Sequence, residues 1–214
     1  MNWKRLRLMP WLDTRARFVS TVPRGGALLD IGSSDGKTLG HIAELRPDLN
    51  FFSTDIQGAP EKYPPHCQFH RGDIQSQKLP WAEATLDAVT CMQLVEHLQD
   101  HRLLFAEIAR LLKPGGKVFF ETPHPSSLQT QSVPGSGFTL NFFDDPTHVR
   151  IVTTGEMGEF AAANSLRTVA SGISRNWLIA ACYPAFCLLP NSHKKFTAQT
   201  HWQGWSAYLI AQKT

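Results

Sequence analysis

The run Leu28-Leu29-Asp30-Ile31-Gly32-Ser33-Ser34-Asp35-Gly36 constrains the fold of this chain more than any other stretch. A short apolar strand carries a carboxylate and then breaks into a glycine-punctuated turn, from which a helix runs over Lys37 to Arg46. Glycines let such a turn bend tightly and approach a ligand closely, because no Cβ intervenes. A second strand, Asn50-Phe51-Phe52-Ser53-Thr54-Asp55, ends in another acid, where α/β nucleotide sites hold ribose hydroxyls. Two carboxylates at adjacent strand ends, with a bare turn between them, describe a pocket for an adenosine-bearing cofactor.

The glycine spacing narrows the choice of cofactor. A dinucleotide site wants G-x-G-x-x-G, so that helix N-terminal amides meet a pyrophosphate. Here the pattern is G-x-x-x-G, and Asp30 precedes it by two residues. That carboxylate repels an anion and attracts a cationic amino acid end. S-adenosylmethionine joins adenosine to a positively charged methionine. At these residues the chain resembles the class I S-adenosylmethionine-dependent methyltransferases, whose first motif is D/E-x-G-x-G-x-G. Asp30, Gly32 and Gly36 match it, and Ser34 replaces the middle glycine.

The resemblance continues in order. Cys67 to His70 reads as a third strand, followed by Arg71-Gly72-Asp73-Ile74. Leu86 to Cys91 is a fourth strand, apolar enough for burial on both faces, and leads into Met92 and Gln93. A helix begins at Asp100 or His101, with Leu103, Leu104, Ile108, Leu111 and Leu112 as its apolar stripe. Lys113-Pro114-Gly115-Gly116 ends that helix, and Lys117 to Thr122 forms a fifth strand. The Leu-Lys-Pro-Gly-Gly phrase resembles the corresponding turn of the family. The resemblance implies cofactor contacts from Asp30, Gly32, Ser33 and Gly36, from Asp55 and Ile56, and from Met92 and Gln93. It also implies that Asp73 accepts a hydrogen bond from the adenine amino group while Ile74 flanks the ring.

The expected fold is therefore α/β and Rossmann-like: a seven-stranded, mostly parallel sheet with helices on both faces and one antiparallel strand near an edge, the last detail supplied by the resemblance. The expected organisation is a helical N-terminal cover over 1–26 and a methyltransferase domain over 27–214. Within the domain lie a cofactor half (27–122), a substrate-cover loop (123–153) and C-terminal helix and strands (154–214). The cover loop is rich in proline, glycine and serine, yet holds Phe138, Phe142, Phe143 and the phrase Asp144-Asp145-Pro146-Thr147-His148-Val149-Arg150. Such content favours an ordered functional loop over disorder. A helix from Thr154 to about Asn164, a strand over Leu166 to Ser174, the apolar insertion Trp177 to Pro190 and a final strand over Trp205 to Gln212 complete the chain.

Composition bounds the remaining classes. A chain of 214 residues, 42% hydrophobic and 18% charged, suits one globular domain, and a net charge of +3 is too small to argue for nucleic acid by itself. Basic residues cluster early, in Lys4, Arg5, Arg7, Arg15, Arg17 and Arg24, interleaved with Trp3, Leu6, Leu8, Trp11, Leu12 and Phe18. This segment reads either as an amphipathic helix covering the cofactor or as a solvated helix packed on the domain, and it lacks the apolar core of a secretory signal. The four cysteines, Cys67, Cys91, Cys182 and Cys187, show no C-x-x-C spacing, as expected of reduced thiols in the cytoplasm. Trp177 to Pro190 is too short to span a bilayer, which takes roughly 20 residues.

Methyl transfer from a sulfonium is an in-line displacement in which the enzyme mainly aligns the reactants and excludes water. An oxygen nucleophile also loses a proton, and histidine suits that task at neutral pH. The candidates beyond the fourth and fifth strands are His97, His124 and His148. His148 is the preferred base, with His124 shaping the acceptor site. Gln93, Glu96 and His97 fall on one face of a helical turn and resemble the Glu-x-x-Glu-His element of ubiquinone-biosynthesis and small-RNA O-methyltransferases, which binds a divalent metal. Gln93 replaces the first glutamate, and losing an anionic ligand argues against a metal here. The expected acceptor is a hydroxyl of a small organic molecule, aromatic, sugar-like or partly lipidic. Transfer to nitrogen, an RNA acceptor drawing on the basic start and six tryptophans, and a non-catalytic cofactor-binding protein are the alternatives.

Overall fold

In the computed structural model, which describes residues 6–214, seven strands form one sheet in the order β3-β2-β1-β4-β5-β7-β6. The strands are β1 (Ala27–Ile31), β2 (Asn50–Asp55), β3 (Gln68–Arg71), β4 (Leu86–Met92), β5 (Leu112–Pro123), β6 (Leu166–Ser174) and β7 (Ser206–Lys213). β1 to β5 run parallel, and β7 inserts antiparallel between β5 and β6. Trp3, Lys4 and Arg5 of the early basic cluster lie outside the described residues.

Strand periodicity divides the core between two faces of the sheet. Leu29, Val89 and Phe120 point to one face, where α3 (Arg102–Leu111) packs Leu104, Phe105 and Ile108 and α4 (Thr154–Ala162) packs Met157 and Ala161. Their chain neighbours Leu28, Ala88 and Phe119 point to the other face, against Phe18 and Val19 of α1 (Thr14–Ser20) and Leu39 and Ile42 of α2 (Lys37–Leu45). Burial on both faces explains why the central strands are apolar runs rather than alternating ones. α1 shares this second core through Ala16, Phe18 and Val19.

The topology places every parallel strand's carboxyl end at one edge, where ligands bind in open α/β sheets. Between β2 and β3 the prolines permit only the short 3-10 turn Pro60–Lys62. β5 begins earlier than Lys117: Leu112 already pairs with Leu86, and the Lys113–Gly116 stretch bulges before regular pairing resumes at Lys117, with Gly115 at φ +79°. Beyond β6, the apolar insertion folds as α5 (Trp177–Ala181) and α6 (Tyr183–Phe186), followed by α7 (His193–Gln203). α7 has no sequence signature of periodicity, since only Phe196 and Ala198 on it are buried; Ser192 caps its start and Gly204, at φ +73°, its end.

Candidate active site

A cavity of about 190 Å³ opens at the carboxyl ends of β1 to β3, lined by Gly32, Asp55, Ile56, Asp73 and Ile74, with Leu94 and His97 across from them. Asp55 is oriented by the turns around it. Its Oδ2 accepts from the Ser34 N–H at 2.8 Å, and its Oδ1 accepts from the N–H groups of Gln57 (2.8 Å) and Gly58 (3.2 Å). Asp73 Oδ1 accepts from the Gln75 N–H at 2.9 Å. Each carboxylate keeps lone pairs for a ligand.

The other residues expected at the cofactor lie outside this cavity. Asp30 is 2% exposed and accepts from the Thr90 hydroxyl at 2.7 Å. Burial raises its pKa to about 7, the Thr90 bond opposing and the Asp55 charge adding to the shift. Ser33 is buried with its Oγ 2.9 Å from the Tyr63 hydroxyl. Gly36 sits at φ +76°, and a Cβ there would fall 2.4 Å from the Tyr63 ring. Ser33 and Gly36 thus seat Tyr63 against the turn. Met92 packs into the second core, and Gln93 faces a different cavity.

That second cavity, about 420 Å³, shares His97 with the first. One group of its lining residues surrounds Glu121, a carboxylate at the end of β5 with no exposure. Arg15 donates to both Glu121 oxygens from Nε, at 2.8 Å, and from Nη2. Ser174 Oγ donates at 2.5 Å and Gln93 Nε2 at 3.1 Å. Burial alone would raise the Glu121 pKa; the Arg15 charge and these hydrogen bonds outweigh it and hold it below the ordinary value. His201 and Ser206 complete this group. Thr197 and Thr200 of α7, with Phe138 and Thr139 of the cover loop, wall the cavity. α1 therefore serves this cavity, through Arg15, and no α1 residue lines the 190 Å³ cavity.

The second group is Glu96, His97 and His148, whose potential ligand atoms all lie within 4.8 Å of one another. The 3-10 turn Val95–His97 after β4 carries the first two. The cover loop supplies His148 and is tied to that turn by the Val149 N–H donating to the Glu96 carbonyl at 2.8 Å. Each imidazole is held through Nδ1: that of His148 lies 2.6 Å from the Phe142 carbonyl, and that of His97 lies 3.0 Å from Thr147 Oγ1, which itself donates to Asp145. Bonds of this kind fix the tautomer and leave both Nε2 lone pairs unprotonated. Glu96 is fully buried and its Oε1 has no hydrogen-bond partner; burial raises its pKa to about 8. At neutral pH this carboxyl holds its proton, and two imidazole Nε2 atoms converge beside it.

His124 is not brought to either cavity. Its Nδ1 accepts from the Ser126 N–H at 3.1 Å and caps the 3-10 turn Pro125–Gln129, so its ring closes a turn instead of shaping the acceptor site. Arg15, Glu121, Ser174, His201 and Ser206 carried no motif in the sequence. They are distant in the chain and meet only because β7 runs between β5 and β6.

Comparisons with known proteins agree with this geometry. Residues 3–170 match a family described as a methyltransferase domain. The chain is 28% identical over 178 residues to a ubiquinone biosynthesis O-methyltransferase of Thiobacillus denitrificans, covering 78% of this chain and 72% of that protein. Among solved structures, the fold is shared with a putative methyltransferase from a Haloferax volcanii complex with the Trm112 activator (TM-score 0.67, 16% identity, 98% of this chain and 92% of that one). It is shared also with geranyl diphosphate C-methyltransferase from Streptomyces coelicolor A3(2), crystallised with S-adenosylhomocysteine (TM-score 0.60, 15% identity, 94% and 80%). The strand order, the acid-bearing turn and the family match make this chain a class I S-adenosylmethionine-dependent methyltransferase.

Proposed function

We propose that this enzyme transfers the methyl group of S-adenosylmethionine to a hydroxyl of a small organic molecule seated in the 420 Å³ cavity. The observation that carries the reading is His97, which lines both cavities and stands with Glu96 and His148 where they meet. Asp55 takes the ribose hydroxyls, Asp73 the adenine amino group, and Ile56 and Ile74 the faces of the ring. Asp30 faces the methionine end, with Gly32, Ser33 and Gly36 shaping the turn beside it and Met92 and Gln93 closing the β4 side. The acceptor hydroxyl gives its proton to His148 Nε2, and Asp145 Oδ2, 3.9 Å away, stabilises the imidazolium that forms. The relative's hydroxyl acceptor, implied by its name, supports oxygen over nitrogen.

The buried, unpartnered Glu96 Oε1 favours a second reading of the same atoms. One carboxylate and two imidazoles, each oriented through its other nitrogen, suit a divalent cation such as Zn²⁺ or Mn²⁺ better than an oxygen-preferring Mg²⁺. Gln93, in place of an anionic ligand, spends its amide nitrogen on Glu121 and Ser206. A bound cation would lower the pKa of an acceptor hydroxyl. The test is methyl transfer to a panel of hydroxylated metabolites, read by mass spectrometry, before and after chelator dialysis and in His148→Ala. Loss in His148→Ala with intact cofactor affinity supports the base reading; loss on dialysis, restored by added cation, selects the metal. An unaltered turnover number in both removes His148 from the mechanism.

A further inference from the structure

The hydrogen-bonding character of the far group in the acceptor cavity identifies what the rest of the acceptor carries, on the reading that this cavity holds the acceptor. Three polar groups there have an uncommitted donor. Arg15 spends Nε and Nη2 on Glu121 and lines the cavity with its side chain 30% exposed, and Nη1 donates to no group among the described residues. His201 Nδ1 accepts from the Asn176 N–H at 3.2 Å, so its proton resides on Nε2. Ser206 Oγ accepts from Gln93 Nε2 at 3.3 Å, so its own O–H is available to donate. The neighbouring hydroxyls are already used as donors: Ser174 to Glu121, Thr197 to the His193 carbonyl and Thr200 to the Thr197 carbonyl.

The formal charge of this group is zero. Arg15 is neutralised by the buried Glu121. His201 is kept uncharged by burial and by the Arg15 charge, its pKa lowered to about 4. A carboxylate placed there would be desolvated without a net counter-charge and would sit near Glu121, an expensive arrangement. An alcohol oxygen would accept as well, but its own O–H would need an acceptor on a wall already lined by donors. An uncharged carbonyl oxygen, an acceptor with two lone pairs, satisfies the arrangement without either cost.

We infer that Arg15, His201 and Ser206 form a donor cradle for an uncharged carbonyl oxygen, and that the acceptor carries a ketone, ester or amide at one end and its methylated hydroxyl at the other. His201 and Ser206 are specificity residues in this view.

The experiment uses the full chain saturated with S-adenosylhomocysteine and three fragments of one size: acetophenone, 1-phenylethanol and benzoate. Affinities are read by ligand-observed NMR, with the imidazole signals of ¹⁵N-histidine-labelled protein reporting on His201. Acetophenone is expected to bind at least about fivefold more tightly than either other fragment and to move the His201 Nε2 signal. Ser206→Ala and His201→Leu should each weaken acetophenone about fivefold while leaving S-adenosylhomocysteine and 1-phenylethanol affinities unchanged. Equal affinities, or benzoate binding most tightly, overturn the inference. Should His201→Leu fail to fold, Ser206→Ala and the wild-type ranking still decide. Methyl transfer to 3,4-dihydroxyacetophenone is measured separately: the expected fragment ranking without any transfer sinks the hydroxyl reading and leaves the cradle standing.

Discussion

Replacing Arg15 by Met tests the buried ion pair on which the acceptor cavity is built. Met keeps much of the stem volume and removes the charge. Glu121 would then remain at zero exposure with only Ser174 and Gln93 as donors, having lost both bonds from the guanidinium. Removing one member of a buried pair costs about 3–5 kcal/mol, a large part of the roughly 5–15 kcal/mol that stabilises a domain. Urea denaturation at pH 7 should therefore show Arg15→Met destabilised by about that amount. Arg15→Met/Glu121→Gln should recover about 2 kcal/mol, because an amide still accepts from Ser174 and Gln93 without a charge to desolvate. The pH dependence gives a second check. Glu121 is depressed in the folded protein, so its contribution is complete above the unfolded carboxylate value and is lost as pH falls through the lower folded value. In Arg15→Met the carboxyl takes up a proton more readily, and the gap from wild type should narrow on acidification. A single variant within about 1 kcal/mol of wild type at pH 7, or a double variant weaker than the single one, would refute the electrostatic account.

Four further outcomes follow from the cofactor side. Asp30, with a pKa near 7, is charged more completely in the presence of a cationic ligand, so S-adenosylmethionine affinity by calorimetry should rise from pH 6 to 8 and Asp30→Asn should flatten that rise. The same shift means that charging Asp30 costs fold stability, an effect that grows as pH rises from about 4 to 7 in the unliganded protein. Asp55→Ala should weaken S-adenosylhomocysteine by about 1.5–3 kcal/mol, and wild-type affinity would show that the ribose is held elsewhere. Gly36→Ala should lower the thermal midpoint measurably, because its Cβ would meet the Tyr63 ring at 2.4 Å from a backbone at φ +76°.

The cofactor half was legible because its signals are local. β1 and β2 are apolar runs ending in acids, and the turn between β1 and α2 needs Gly36 in a left-handed conformation that its sequence announces. Asp73 and Ile74 follow β3 after a single glycine, Gly72. The surroundings of His148 are local too: it lies among aspartate, proline and threonine in the cover loop, with the Phe142 carbonyl and Asp145 beside its ring. His124 looked equivalent, yet Pro125 behind it starts a 3-10 turn whose first orphan N–H its ring accepts. α7 was illegible because a helix held by two caps and two buried side chains shows no 3.6-residue stripe. The acceptor group was illegible for a stronger reason. Thr14 hydrogen-bonds the carbonyl of Arg175, 161 residues away, and no local pattern encodes such a meeting.

The boundary of the family match bears on how far a relative can inform this enzyme's specificity. The matched region ends at residue 170, inside β6, after every residue that lines the cofactor cavity and after Glu96, His97 and His148. Ser174, Thr197, Thr200, His201, Trp205 and Ser206 all lie beyond it and line the acceptor cavity. On the proposed reading, the activating group would lie within the matched part, and most residues that line the larger cavity lie beyond it, in elements whose fold other methyltransferase structures share. Those late residues stand at the end of β6, on α7 and at the start of β7, outside the five parallel strands. Arg15 closes the arrangement from the opposite end of the chain, and its partner Glu121 stands on β5, beside β7. Substitutions at His201 or Ser206 should consequently redirect which acceptor is used while leaving cofactor affinity intact, whereas substitutions at Asp55 or Asp73 should weaken the cofactor for every acceptor alike.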